Sequence, residues 1–203
     1  MISHKTALRL KEHFENLYQT YNHRKYVSPD PLQFVYEYDN SKDREIVAFI
    51  SSCIAYGRVQ QIIKSLSSVF SIMGSPYEYL MNTNVLSNQT DFKSFKHRFT
   101  TGIELVYLFH GLRETFQNYG SLQSLFLSVP HKKASGVTEI LTLALERFRN
   151  IAYQGKDIHR YNSLLSDPKK GSACKRLFMF LRWMVRKDNV DIGLWNKLSP
   201  SQL

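Results

Sequence analysis

Apolar side chains recur along this chain at the three-to-four-residue interval of an α-helix and almost nowhere at the two-residue interval of a strand. Leu10, Phe14, Leu17, Tyr18 and Tyr21 line one such face. Val59, Ile62, Ile63, Leu66, Val69 and Phe70 line another, closed by Gly74, and Val137–Tyr153 carries a third. No Asn-Gly or Gly-rich hairpin signal separates these stretches. The expectation is an all-α array of about nine to eleven helices. Local chemistry marks the starts. Asp30 caps a helix opened by Pro31, Asn40-Ser41 opens a long apolar helix from Ile46 to Ala55, and Ser75-Pro76 starts a short one. Thr101 caps a helix from Gly102 to Asn118, and Tyr119-Gly-Ser121 is a stop and restart. Asp91–Phe99 reads as a short basic helix, 172–187 as an amphipathic one, and Val190–Asn196 as a short terminal one. Residues 82–91 read as a polar loop, Val129–Gly136 as a basic loop, and 154–170 as irregular and basic.

At 203 residues, 43% hydrophobic and 13% aromatic, the chain has enough apolar matter for a real core. Residues 1–203 are expected to make one domain, or two small helical lobes sharing that core around one cleft. No apolar run reaches the ~20 residues that span a bilayer, and Met1-Ile-Ser-His-Lys-Thr is not followed by the apolar core of a signal peptide. The expectation is a cytoplasmic protein with no membrane partner. Cys53 and Cys174 lie far apart in apolar helical contexts, so each reads as a buried reduced thiol. The seven histidines are scattered, and no Cys/His spacing supports a metal, so neither metal nor other cofactor is expected. Trp183 and Trp195 read as core.

Charge is unevenly distributed. Residues 1–92 hold nine basic and nine acidic side chains, whereas residues 131–187 hold thirteen basic and four acidic, a net of +9 of the chain's +10. Cations gathered in one segment, around a turn and among aromatics, suit a polyanion-facing surface better than general solubility. DNA, as duplex, is the expected partner; a solvated helical face is the alternative.

The segment Gly171-Ser-Ala-Cys-Lys-Arg-Leu-Phe-Met-Phe-Leu-Arg-Trp-Met-Val-Arg-Lys-Asp188 concentrates the chemistry. Gly171 and Ser172 suit a turn and an N-cap. Lys175, Arg182 and Arg186 fall on one helical stripe, with Arg176 beside the first of them. A helix N-terminus with free amides and cations can hold phosphate. Lys169, Lys170 and Gly171 form a candidate phosphate clamp, or an ordinary solvated turn. Lys175 reads either as a phosphate-binding lysine or as a nucleophile, since the helix dipole and neighbouring cations favour its neutral amine. Ala55-Tyr56-Gly57-Arg58-Val59 reads in two ways. Tyr56 can stack on a base while Arg58 fills a gap or holds phosphate, or the turn is a helix corner with Tyr56 inside and Arg58 outside.

These motifs carry a resemblance. Together with Asp-Pro-Leu-Gln-Phe-Val (30–35), Asp-Arg-Glu-Ile-Val-Ala-Phe-Ile (43–50), Arg-Phe-Thr-Thr-Gly (98–102) and Tyr-Gly-Ser-Leu (119–122), the chain resembles an uncharacterised bacterial domain-of-unknown-function family. That family is in turn similar to helix-hairpin-helix DNA glycosylases, nearest the archaeal 8-oxoguanine type. The resemblance implies a helix-hairpin-helix glycosylase-like fold, with Lys175 as the base-excision nucleophile and DNA-repair activity. Two departures stand out. The usual Leu-Pro-Gly-x-Gly hairpin is replaced by Leu165-Ser-Asp-Pro-Lys-Lys-Gly171. The expected acidic motif has no counterpart before Leu203, which implies a C-terminal truncation and an inactive 203-residue form. Arg98-Phe-Thr-Thr-Gly102 reads from its residues as a cap box, and any function for it rests on the resemblance. The function expected is therefore a DNA-binding protein with lysine-based glycosylase/lyase chemistry. A non-catalytic nucleic-acid-binding module or a helical protein–protein scaffold are the alternatives.

Overall fold

A computed structural model of the chain describes residues 2–129, 136–154, 164–166 and 168–202, the side chains of Lys170 and Gln202 excepted. The basic loop expected at 129–136 lies almost wholly outside these residues, as does most of the irregular stretch expected at 154–170. The described elements are predominantly helical. They are α1 (His4–Tyr21), α2 (Ser41–Ile54), α3 (Val59–Met73), α4 (Pro76–Asn82), α5 (Gly102–Tyr119), α6 (Leu122–Leu127), α7 (Val137–Tyr153) and α8 (Lys175–Val185). A 3-10 helix over Pro31–Glu37 and a two-stranded antiparallel pair, β1 (Lys96–His97) and β2 (Thr100–Thr101), complete the frame that positions the site.

The local start signals act as the residues dictate. The Asn40 side chain accepts from Lys42 N at 2.8 Å, and the Ser121 hydroxyl accepts from Ser124 N at 3.0 Å. Thr101 and Glu104 form a reciprocal capping box at the head of α5. Asp30 caps as expected, accepting from Leu32 N at 2.8 Å, but the segment it opens is 3-10 rather than α-helical.

α2 is apolar almost all round and occupies the centre. Ile46, Val47, Ile50, Cys53 and Ile54 are fully buried between the Pro31–Glu37 turn, α4 and α8. The Phe49 ring meets Phe148 of α7 and Phe180 of α8 edge-on, at 5.2 and 5.1 Å between centroids, and Phe180 meets Trp195 at 5.3 Å. α5 and α7 approach closely enough that a methyl at Gly111 would lie 2.7 Å from the Ala152 Cβ. The buried apolar side chains belong to one cluster, Trp183 and Trp195 among them. Cys53 and Cys174 are buried free thiols, and burial pushes Cys53 up to about 12. No helix among the described residues is long and apolar enough to cross a membrane.

Three sequence expectations are corrected. Asp91–Phe99 is not a helix: a 3-10 turn over Gln89–Phe92 buries Phe92, and the chain then turns into β1. Two-residue strands carry no readable period. Val190–Asn196 is not a helix either. It folds back on the end of α8, where Ile192 N and Gly193 N donate to Trp183 O and Trp195 N donates to Met184 O. Those carbonyls have no partner within α8, and the returning segment supplies one. Finally, the last major helix starts at Lys175 instead of Ser172, because Cys174 holds a left-handed backbone at φ 45°. α1 forms with the expected amphipathic pattern, yet none of its residues is buried. A hydrophobic period specifies a helix but not what covers it.

Candidate nucleic-acid interface

The corner between α2 and α3 is Ala55-Tyr56-Gly57-Arg58. Gly57 takes φ +100°, a conformation that a side chain would strain. The absence of a Cβ also lets the Arg98 side chain lie across the backbone: a methyl at Gly57 would sit 2.9 Å from Arg98 Cδ. Tyr56 is half-buried and tied to the β1–β2 hairpin. Its hydroxyl donates to His97 O at 2.9 Å and shares a 2.6 Å bond with Thr100 Oγ1.

His97 returns the contact. Its Nε2 lies 2.9 Å from Tyr56 O and its Nδ1 2.9 Å from Ser65 Oγ. A carbonyl can only accept, so Nε2 carries the hydrogen and Nδ1 accepts from the serine. The ring is fully buried, and burial holds its pKa below the ordinary histidine value, opposed by the Tyr56 carbonyl. Neutral His97 and Tyr56 thus pack edge-on, 4.7 Å between centroids, and fix the base of the hairpin on the corner. Arg98 and Phe99 form its tip.

α8 reaches the same corner through Arg176. Its Nη1 donates to Cys53 O, one of the last carbonyls of α2, where a cation also complements the helix dipole. The guanidinium carbon stands 4.9 Å from the Tyr56 ring centroid. Arg176 therefore joins the start of α8 to the end of α2 across 123 residues of sequence.

The sequence-predicted residues divide between this corner and other places. Gly171 takes φ +74° at the end of the Pro168–Lys170 turn, donating to Pro168 O at 3.0 Å. The Ser172 hydroxyl accepts from Cys174 N at 3.2 Å, a turn contact just ahead of α8. Lys175 is exposed at the first position of α8, next to Arg176, and Arg58 is exposed at the N-cap position just before α3. Lys169 pairs with Glu146 of α7 at 3.2 Å on the surface, where such a pair contributes little. The side chain of Lys170 lies outside the described residues. Arg182 sits away from this corner, with its Nε 2.9 Å from the buried Asp191 carboxylate. Arg186 lies 2.7 Å from Asp188 and 3.5 Å from Asp191. The cationic stripe read from the helical period is thus split: Lys175 is exposed at one end, and two arginines meet acids of the returning segment at the other.

Sequence reasoning left Lys96, Arg98 and Phe99 without a role. All three are exposed, and Phe99 at 71% is the most exposed large apolar side chain among the described residues. The signal was the Arg-Phe-Thr-Thr-Gly motif, but nothing local announces a hairpin tip whose φ +51° residue is an arginine. Among the described residues no group of three or more His, Cys, Asp or Glu side chains could hold a metal ion.

Compared with known families, the chain matches a protein family of unknown function, DUF2400, over residues 30–203. The chain belongs to the DUF2400 family. The matched span takes in the corner, the hairpin and α8, and leaves out α1. No curated protein and no solved structure matches the chain significantly.

Proposed function

We propose that this DUF2400 chain binds duplex DNA through the end formed by the α2–α3 corner, the hairpin tip and the start of α8. The observation that carries the reading is the Tyr56 junction. It gathers cations from three distant parts of the chain, Arg58, Lys96 with Arg98, and Lys175 with Arg176, around one aromatic-bearing end. Cations clustered on one face, interleaved with aromatics, are the electrostatic footprint of phosphate recognition.

Four exposed cations at this end imply a salt slope of about −3.6 in log affinity. Anisotropy titration of a labelled duplex is expected to show affinity falling by roughly 10²-fold between about 50 and 200 mM salt. Replacing Arg58 and Arg98 together with alanine should shrink the slope by about 2. Undetectable or salt-independent binding would overturn the reading and favour a protein–protein scaffold.

The finer reading assigns DNA glycosylase/lyase chemistry to Lys175. Its support is position: an exposed lysine on the first residue of a helix, next in sequence to the Arg176 that lies over Tyr56. Excision of an intact base requires an acid to manage the developing sugar charge, and among the described residues no hydrogen bond or ion pair joins a carboxylate to Lys175. The amine is therefore best tested where the base has already left. It would attack the C1′ aldehyde of an abasic site and expel water to form an imine. Borohydride hydride would then convert the imine to a stable secondary amine. Wild type is expected to give this covalent adduct and Lys175→Gln to lose it, while keeping binding within about fivefold because one cation among several is removed. Equal trapping by both, or by neither, would leave a non-catalytic DNA-binding module.

A further inference from the structure

Phe99 stands at the tip of a two-residue turn and is 71% exposed, although the chain buries most of its other phenylalanines. Its placement is enforced. The hairpin base is pinned to the corner by Tyr56, His97 and Thr100, and the strands pair Lys96 with Thr101 and His97 with Thr100. The Arg98 side chain lies over Gly57, with its guanidinium carbon 5.2 Å from the Phe99 ring centroid. A rigid base thus presents an aromatic face with a cation beside it.

We infer that Phe99 is a base-stacking residue, which inserts against an unpaired nucleobase while the cations around it hold the flanking phosphates. The inference rests on the DNA-binding reading and names the part of that surface that contacts a base. Two features select a nucleobase over an apolar protein partner. The exposed charged residues closest to the tip in sequence, Lys93, Lys96 and Arg98, are all basic, as is Arg58 beside Gly57. The nearest acid in the following helix, Glu104, is buried and committed to the Thr101 capping box. Stacking on an aromatic also asks nothing of base identity, because every base offers a π-face. A fully paired duplex offers no free face, so the contribution should appear only where a base is unstacked.

The experiment compares a duplex carrying a single-nucleotide gap with the same duplex intact, at low salt. Phe99→Ala is expected to weaken binding to the gapped duplex by about 5- to 100-fold, with the salt slope unchanged. The loss on the intact duplex should be clearly smaller than the loss on the gapped one, and the variant should unfold at the wild-type temperature because the ring packs on little. Phe99→Trp supplies a second, direct readout. Its exposed indole should be quenched by the gapped duplex, against a constant background from the buried Trp183 and Trp195. Wild-type affinity of Phe99→Ala for the gapped duplex, or no quenching of Phe99→Trp at saturation, would overturn the stacking role and leave DNA binding intact. If the wild type binds neither duplex, the stacking role and the DNA-binding reading fall together.

Discussion

Replacing Glu45 with alanine is expected to lower the unfolding free energy by about 3–5 kcal/mol, since three buried donors lose their acceptor, a large part of the 5–15 kcal/mol typical of a domain. Glu45 lies in α2 and is 5% exposed. Its carboxylate accepts from Trp195 Nε1 at 2.6 Å, Gln123 N at 3.0 Å and Leu122 N at 3.2 Å. The two amides belong to the first turn of α6, which has no helical acceptor for them. One side chain therefore caps α6 and anchors the C-terminal segment to the central helix. Truncation leaves buried donors unsatisfied and a void beside Trp195.

Burial pushes the Glu45 carboxyl above the ordinary glutamate value of 4.5, with the Trp195, Gln123 and Leu122 donors opposing it. The sign of the pH effect follows. Below the unfolded value the group is neutral in both states, and no penalty for burying its charge arises. As pH rises through the raised folded value, the buried group must ionise and this contribution to stability is lost. Glu45→Gln does not titrate, so its deficit against wild type should narrow as pH rises from about 4 to about 7. Urea unfolding followed by tryptophan fluorescence measures both effects. A Glu45→Ala chain within about 1 kcal/mol of wild type would show that the tether carries little.

Gly102→Ala is expected to cost about 3 kcal/mol or more. A methyl at Gly102 would sit 1.8 Å from Phe92 O and 2.7 Å from Phe92 C. Both are backbone atoms, so no rotamer change relieves the clash. Gly102 opens α5 directly after β2, and yielding there would also disturb the hairpin on the Tyr56 corner. Gly136→Ala is the control, since its methyl would meet nothing within 4 Å. Thermal unfolding of the two variants should differ widely; a Gly102→Ala chain as stable as Gly136→Ala would refute the close approach. The Arg-Phe-Thr-Thr-Gly motif thus divides its work. Arg98 and Phe99 face outward, Thr100 locks the hairpin, Thr101 caps α5, and Gly102 admits the Phe92 backbone.

Much of this was legible in single stretches of sequence. Asn40, Ser121, and Thr101 with Glu104 cap where their residue types predict, because a cap is satisfied by amides two or three residues away. The helical periods of α2, α3, α5 and α7 likewise fixed where those helices run. Composition set the basic character and the burial of both cysteines and both tryptophans. The meeting of distant segments was not legible. Arg176 reads as one cation of a phosphate-binding helix, yet it donates to Cys53 O and lies over Tyr56. Arg182 reads as part of the same surface, but the fold-back of 187–195 brings Asp191 to it. The exposed tip at Arg98-Phe99 depends on His97, Ser65 and Tyr56 closing a network over more than 40 residues. Capping and periodicity are decided within a turn or two of backbone, so the sequence by itself determined the helices. Which faces meet, which cations find acids and which aromatic is left outside were decided only by long-range packing.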